Sequence, residues 1–207
     1  QLTPLAREER LLGSMFETRR QSISRAFDAL ERLAPRGSRP KLVLAHILAP
    51  HPPFVFRADG SPAPPMPPYG LWDGSDYLQN VGDRASYVRG YSDQAEHINK
   101  LVLKWLDQLS ERSGSEPIVV LQGDHGSKIG LDQNDLSKTD IDECFPILSA
   151  VFGPGDLPAH IAEHRTPVNV FRTILRDGFG QDLPPLPDRS WYSTYPEPLK
   201  LTEVTEQ

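Results

Sequence analysis

Between Pro50 and Pro68 the chain places eight prolines in nineteen residues. Each proline fixes φ near about −65° and lacks the N–H that a helix or sheet ladder uses. The stretch therefore belongs neither to a helix interior nor to the middle of a sheet. Polar, glycine-containing sequence continues to about Asp83, so a loop over about 50–83 is expected. A loop of that length inside a compact domain is characteristically functional or disordered. The elements on either side have to be arranged around it.

On its N-terminal side, Leu12, Met15, Phe16, Ile23, Phe27, Leu30 and Leu33 recur at spacings of three, four and seven, predicting one amphipathic helix from about Leu5 to Leu33. Pro35 to Pro40 stops it. The run Lys41–Leu48 (Lys-Leu-Val-Leu-Ala-His-Ile-Leu) is apolar without alternation, the pattern of a strand covered on both faces. Beyond the loop, Tyr87, Tyr91, Ile98, Leu101, Val102, Trp105, Leu106 and Leu109 restore the helical period from Ser86 to Arg112. A second buried strand is expected over Pro117–Gln122, a third apolar segment over Phe145–Phe152, and a last helix opening at Thr166-Pro167 and ending at Gly178. This alternation predicts an α/β fold, a mostly parallel sheet flanked by helices. Residues 1–195 read as one unit, with 196–207 a polar tail.

The net charge of −6 argues against a nucleic-acid partner, which needs a basic face. No run approaches the ~20 apolar residues of a membrane-spanning helix. A single cysteine, Cys144, excludes an internal disulfide framework and any cysteine-based zinc cluster. The chain opens on Gln1 without a signal-type segment, as a mature product or an excised piece of a longer protein would. Nucleophile elbows, phosphate-cradling loops ending in Lys-Ser/Thr and dinucleotide fingerprints are all missing from the sequence.

Ligands of open α/β sheets bind beyond the carboxyl ends of strands. Two such ends here carry histidine: Ala49-Pro50-His51-Pro52 and Gly123-Asp124-His125-Gly126. At a strand-to-loop turn Asp124 and His125 can converge, and a carboxylate with an imidazole suits zinc or manganese more than calcium. A plain β-turn with a solvated His125 satisfies the same spacing. His51, held between prolines, is either pre-organised to meet an anionic group or incidental to a stiff surface loop. His46 inside its apolar run reads as a core histidine, and His97 as partly exposed on a helix.

Taken in order, the Lys41–Phe54 segment with its His51-Pro-Pro-Phe, then Tyr91-x-x-Gln94 with Asn99, then Pro117-Ile-Val-Val-Leu-Gln-Gly-Asp124-His125-Gly126, then Thr166-Pro-Val-Asn169-Val-Phe171-Arg172, resemble the C-terminal part of the catalytic domain of sulfatase-like proteins of the alkaline phosphatase superfamily. The resemblance runs from about Ala6 to Ser193. It implies a partial alkaline-phosphatase-like domain in which Asp124 and His125 are paired metal ligands and His51 contacts the sulfate or phosphate group. Asn169 and Arg172 match a structural helix-start motif.

The same resemblance implies that the chain is part of a divalent-metal-dependent hydrolase of sulfate or phosphate esters, small or lipid-linked, with zinc or manganese preferred to calcium. Alternatives are a phosphoethanolamine or phosphoglycerol transferase of the same superfamily and a non-catalytic remnant or binding module. The family's nucleophile and remaining acidic ligands lie in an N-terminal half outside this chain. No catalytic nucleophile is therefore assigned within it, and the isolated piece is expected to be inactive. The complete protein is expected to be extracytoplasmic and membrane-anchored.

Overall fold

The computed structural model describes residues 4–33, 41–112 and 116–205, with side chains from Arg10 onward. Contacts divide the chain into two compact units, Gln1–Gly114 and Ser115–Gln207.

The first unit is built on two long helices. Helix α1 spans Pro4–Arg32 and turns Phe16, Ile23 and Phe27 inward, leaving Met15 and Leu33 about half exposed. A short helix α2, Ser75–Asn80, closes the proline-rich loop and buries Tyr77. Helix α3, Arg84–Arg112, answers α1 with Ile98, backed by Leu101 and Val102. The proline-rich segment fills the space beside them: Val55 and Phe56 are buried in the same cluster. Full burial of each such side chain stabilises by about 1.5–3 kcal/mol, which offsets the ordering of a segment whose own pairing is one antiparallel bridge, Phe56 with Pro62.

Lys41–Leu48 corrects one expectation. It is irregular rather than a strand, and it is largely exposed, with Leu42 93% and Leu44 91% accessible. His46 is exposed as well, not a core residue. Apolar content favours a strand only when a neighbouring strand pairs with its backbone, and that partnership is not legible from one segment.

In the second unit, β1 (Val119–Gln122) and β2 (Ser149–Phe152) pair antiparallel, with Val119 opposite Phe152 and Gln122 opposite Ser149. Between them lie a 3-10 turn, Leu136–Lys138, and one turn of α-helix, α4, Ile141–Cys144. One face of the strand pair is covered by α5, Leu157–Ala162, and α6, Val170–Thr173, whose Leu157, Ile161 and Val170 pack with Ile174 against Ile118, Val120 and Val151. A 3-10 turn at Pro167–Asn169 precedes α6 and a π-helical turn, Ile174–Gly178, follows it. Within the expected polar tail, β4 (Thr202–Glu203) pairs with β3 (Trp191–Tyr192), and Val204 is buried.

Among the described residues, then, strands occur only as two antiparallel pairs in a chain about 45% helical. The expected α/β fold with a mostly parallel sheet, and with it the partial alkaline-phosphatase-like domain, is not what forms. Pro117–Gln122 lacks alternation because its residues are only partly buried on both sides, not because a parallel sheet sandwiches it. No described helix is long and apolar enough to cross a membrane.

Asn169 ties this unit together. It is 0% exposed, accepts from the Leu186 amide at 2.8 Å and donates to the Leu186 carbonyl at 2.8 Å. Beside it, Asp188 accepts from the Thr166 hydroxyl at 2.5 Å and the Thr166 amide at 3.1 Å. Burial by itself would raise the Asp188 pKa, but the Thr166 and Arg165 donors and the nearby His164 outweigh it, and the net direction is downward. A carboxyl whose folded pKa lies below its unfolded value of about 3.9 contributes stability in full above that value and loses it as pH falls through the folded pKa. The urea-midpoint gap between wild type and Asp188→Asn should accordingly be widest near neutral pH and close as pH drops below about 3.9. A pH-independent gap would contradict the assignment.

Candidate functional site

Gln94 on α3 is 0% exposed and holds the His51 loop by three contacts. Its side-chain oxygen accepts from the Val55 amide at 2.8 Å, and its nitrogen donates to the carbonyls of Pro50 at 3.1 Å and His51 at 3.2 Å. A proline-rich loop has few amides of its own, so a side-chain amide from a helix supplies the partners that a ladder would have given. One turn away, Gly90 lets the Phe54 ring lie against α3, because a Cβ there would sit 2.2 Å from that ring. Phe54 then meets Tyr87 edge-on at 5.3 Å, and Tyr87 stacks on Tyr91 at 5.9 Å.

This packing brings His51 to a carboxylate that the sequence pattern does not single out. His51 Nε2 lies 3.5 Å from Oδ2 of Asp73, and Asp73 is only 6% exposed. The other carboxylate oxygen accepts from the Tyr87 hydroxyl at 2.6 Å and the Gly74 amide at 2.9 Å. His51 Nδ1 donates to the Pro52 carbonyl at 2.5 Å. Burial, and secondarily the charge of Asp73, pushes the Tyr91 hydroxyl pKa up. The one available signal is Trp72-Asp73-Gly74-Ser75, an acid and a glycine just ahead of a helix, which by itself reads as a cap. Next to this cluster, Pro52, Phe54, Met66, Trp72 and Tyr77 help line a small apolar recess.

In the second unit, the chain leaves β1 at Gln122 and is pinned across to the segment before β2. Gly123 donates to the Leu148 carbonyl at 2.8 Å and Gly126 to the Cys144 carbonyl at 2.9 Å. At Gly126 a Cβ would fall 2.4 Å from the Pro146 carbonyl oxygen, so only glycine fits the turn. Between these pins the two expected side chains converge: His125 Nε2 is 3.7 Å from Asp124 Oδ1, and His125 Nδ1 donates to the Gly126 carbonyl at 2.8 Å. Asp124 is 79% exposed at its side chain and His125 30%.

That hydrogen bond on Nδ1 leaves Nε2 directed at the carboxylate, the orientation that outer-shell carbonyls impose on metal-ligating imidazoles. Two donors about 2.0–2.2 Å from one tetrahedral cation lie roughly 3.3–3.6 Å apart, close to the separation seen. The donor chemistry fits half of a zinc or manganese site. Among the described residues no cluster of three or more His, Cys, Asp or Glu side chains could hold a metal. Asn169 and Arg172 contact backbone carbonyls, at Leu186 and Pro184, as structural residues do.

Comparison with protein-family models, curated proteins and solved structures finds no match to this chain. The sulfatase-like resemblance therefore rests on the quoted residues.

Replacing Gln94 with Ala should cost on the order of 3 kcal/mol by leaving the Val55 amide and two carbonyls unpaired. Chemical denaturation measures this, and a cost within about 0.5 kcal/mol would mean the loop holds itself.

Proposed function

We propose that this chain supplies two metal ligands, Asp124 and His125, and an anion-contacting residue, His51, to a metal-dependent enzyme that hydrolyses sulfate or phosphate esters. The observation carrying the reading is the convergence of Asp124 and His125 at a turn pinned on both sides, with Nδ1 already committed to a backbone carbonyl. Zinc or manganese suits such a mixed pair better than calcium. A divalent cation held there would supply Lewis-acid polarisation of the ester and lower the pKa of a hydroxyl nucleophile. His51, in the first unit, would contact a sulfate or phosphate group as an anion-binding residue. The reading requires a nucleophile and further ligands that these three residues do not provide, and transfer of a phosphoalcohol group uses the same parts. In it the ester is small or lipid-linked and is met outside the cytoplasmic membrane. A non-catalytic binding module is the second reading, favoured by the lack of a third ligand among the described residues.

Calorimetric titration of the full protein with Zn²⁺ or Mn²⁺ separates the two. Changing Asp124 and His125 together to Ala should weaken binding at least about 100-fold, beyond the 10–100-fold cost of disturbing outer-shell groups. Unchanged affinity would end the metal assignment. In the complete protein, with an aryl phosphate or sulfate as substrate, His51→Ala should lower turnover about 10²–10³-fold at unchanged melting temperature. A loss that merely tracks unfolding would make His51 structural.

A further inference from the structure

We infer that Asp73 is the resident occupant of the anion contact on His51, and that an anionic ester has to displace it. The inference rests on the reading of His51 as that contact and adds what sets its selectivity.

Both ring nitrogens of His51 face acceptors. Nδ1 is committed to the Pro52 carbonyl at 2.5 Å, so the atom that can turn to a ligand is Nε2, which faces Asp73 Oδ2 at 3.5 Å. Of the two partners Asp73 is the fixed one. The Tyr87 hydroxyl and the Gly74 amide hold its Oδ1, and Tyr87 is 1% exposed, wedged among Phe54, Tyr77 and Tyr91. The His51 side chain keeps 20% of its surface accessible, against 7% for Asp73. The 3.5 Å separation exceeds the 2.7–3.2 Å range of an N–H···O bond, so the Nε2–Asp73 contact given up in the exchange is a long one. Asp73 keeps two donors after the exchange and is not left as an orphaned buried charge.

The consequence is a threshold. A simple carboxylate gains little by replacing one carboxylate with another on Nε2. A phosphoryl or sulfuryl group, with three acceptor oxygens, brings more contacts to the exchange. Asp73 in addition repels any second anion placed beside it. Removing its charge should tighten anion binding and blunt the preference among anions.

The test is titration of the full chain with inorganic phosphate and, separately, acetate, monitored by calorimetry and by the His51 side-chain ¹⁵N signals. Asp73→Asn keeps an oxygen for Tyr87 and Gly74 while losing the charge. It should bind phosphate about tenfold more tightly than wild type and acetate measurably, and adding His51→Ala should abolish both gains. Asp73→Ser reads the same way if the Asn variant does not fold. Phosphate affinity in the charge-free variant no greater than in wild type, including undetectable binding in both, overturns the role of Asp73. If His51→Ala alone abolishes wild-type binding in that case, the reading of His51 survives. If the double variant binds as tightly as Asp73→Asn, phosphate sits elsewhere, and both that reading and the inference fall.

Discussion

One buried side-chain amide organises the part of this molecule that carries the first histidine. Gln94 meets three backbone groups of a loop in which proline removes eight of nineteen backbone donors. The stiffness of the prolines limits the loop to few shapes, and Gln94 selects one of them against α3. That choice leads to the burial of Val55 and Phe56 and the seat of Phe54 over Gly90. It also sets the approach of His51 to Asp73. A helix pair supplies the scaffold, but the loop takes its register from a glutamine.

The two histidine loops reach similar local geometry by different means. Each imidazole gives Nδ1 to the carbonyl of the next residue and turns Nε2 toward a carboxylate. At His51 that carboxylate is buried and braced by a tyrosine. At His125 it is the adjacent, solvent-facing Asp124. Environment therefore separates the two: Asp124 faces solvent beside a half-buried His125, whereas Asp73 is buried and already held by other donors.

Much of the helical part was legible in the sequence because its signal is local. The apolar spacing through Phe16, Ile23 and Phe27, and through Tyr87 and Ile98, states both the element and its inward face. Sheet pairing is not local. Nothing within Lys41–Leu48 or Pro117–Gln122 names a partner or a direction, and the expectation of a parallel sheet failed there. The convergence of Asp124 and His125 could be anticipated because they are neighbours in the chain. Asp73 could not, since it reaches His51 across a long stretch of loop through an aromatic cluster that no spacing rule describes.

The exposure of Leu42 and Leu44 has a bearing on how this polypeptide behaves in solution. An apolar stretch of branched side chains outside any described sheet is adhesive toward other extended backbones, itself included. Concentrating the chain thus invites self-association that begins at this stretch, just ahead of the prolines that protect the neighbouring loop from the same fate. Lys41 at its head is the sole charged gatekeeper within the run.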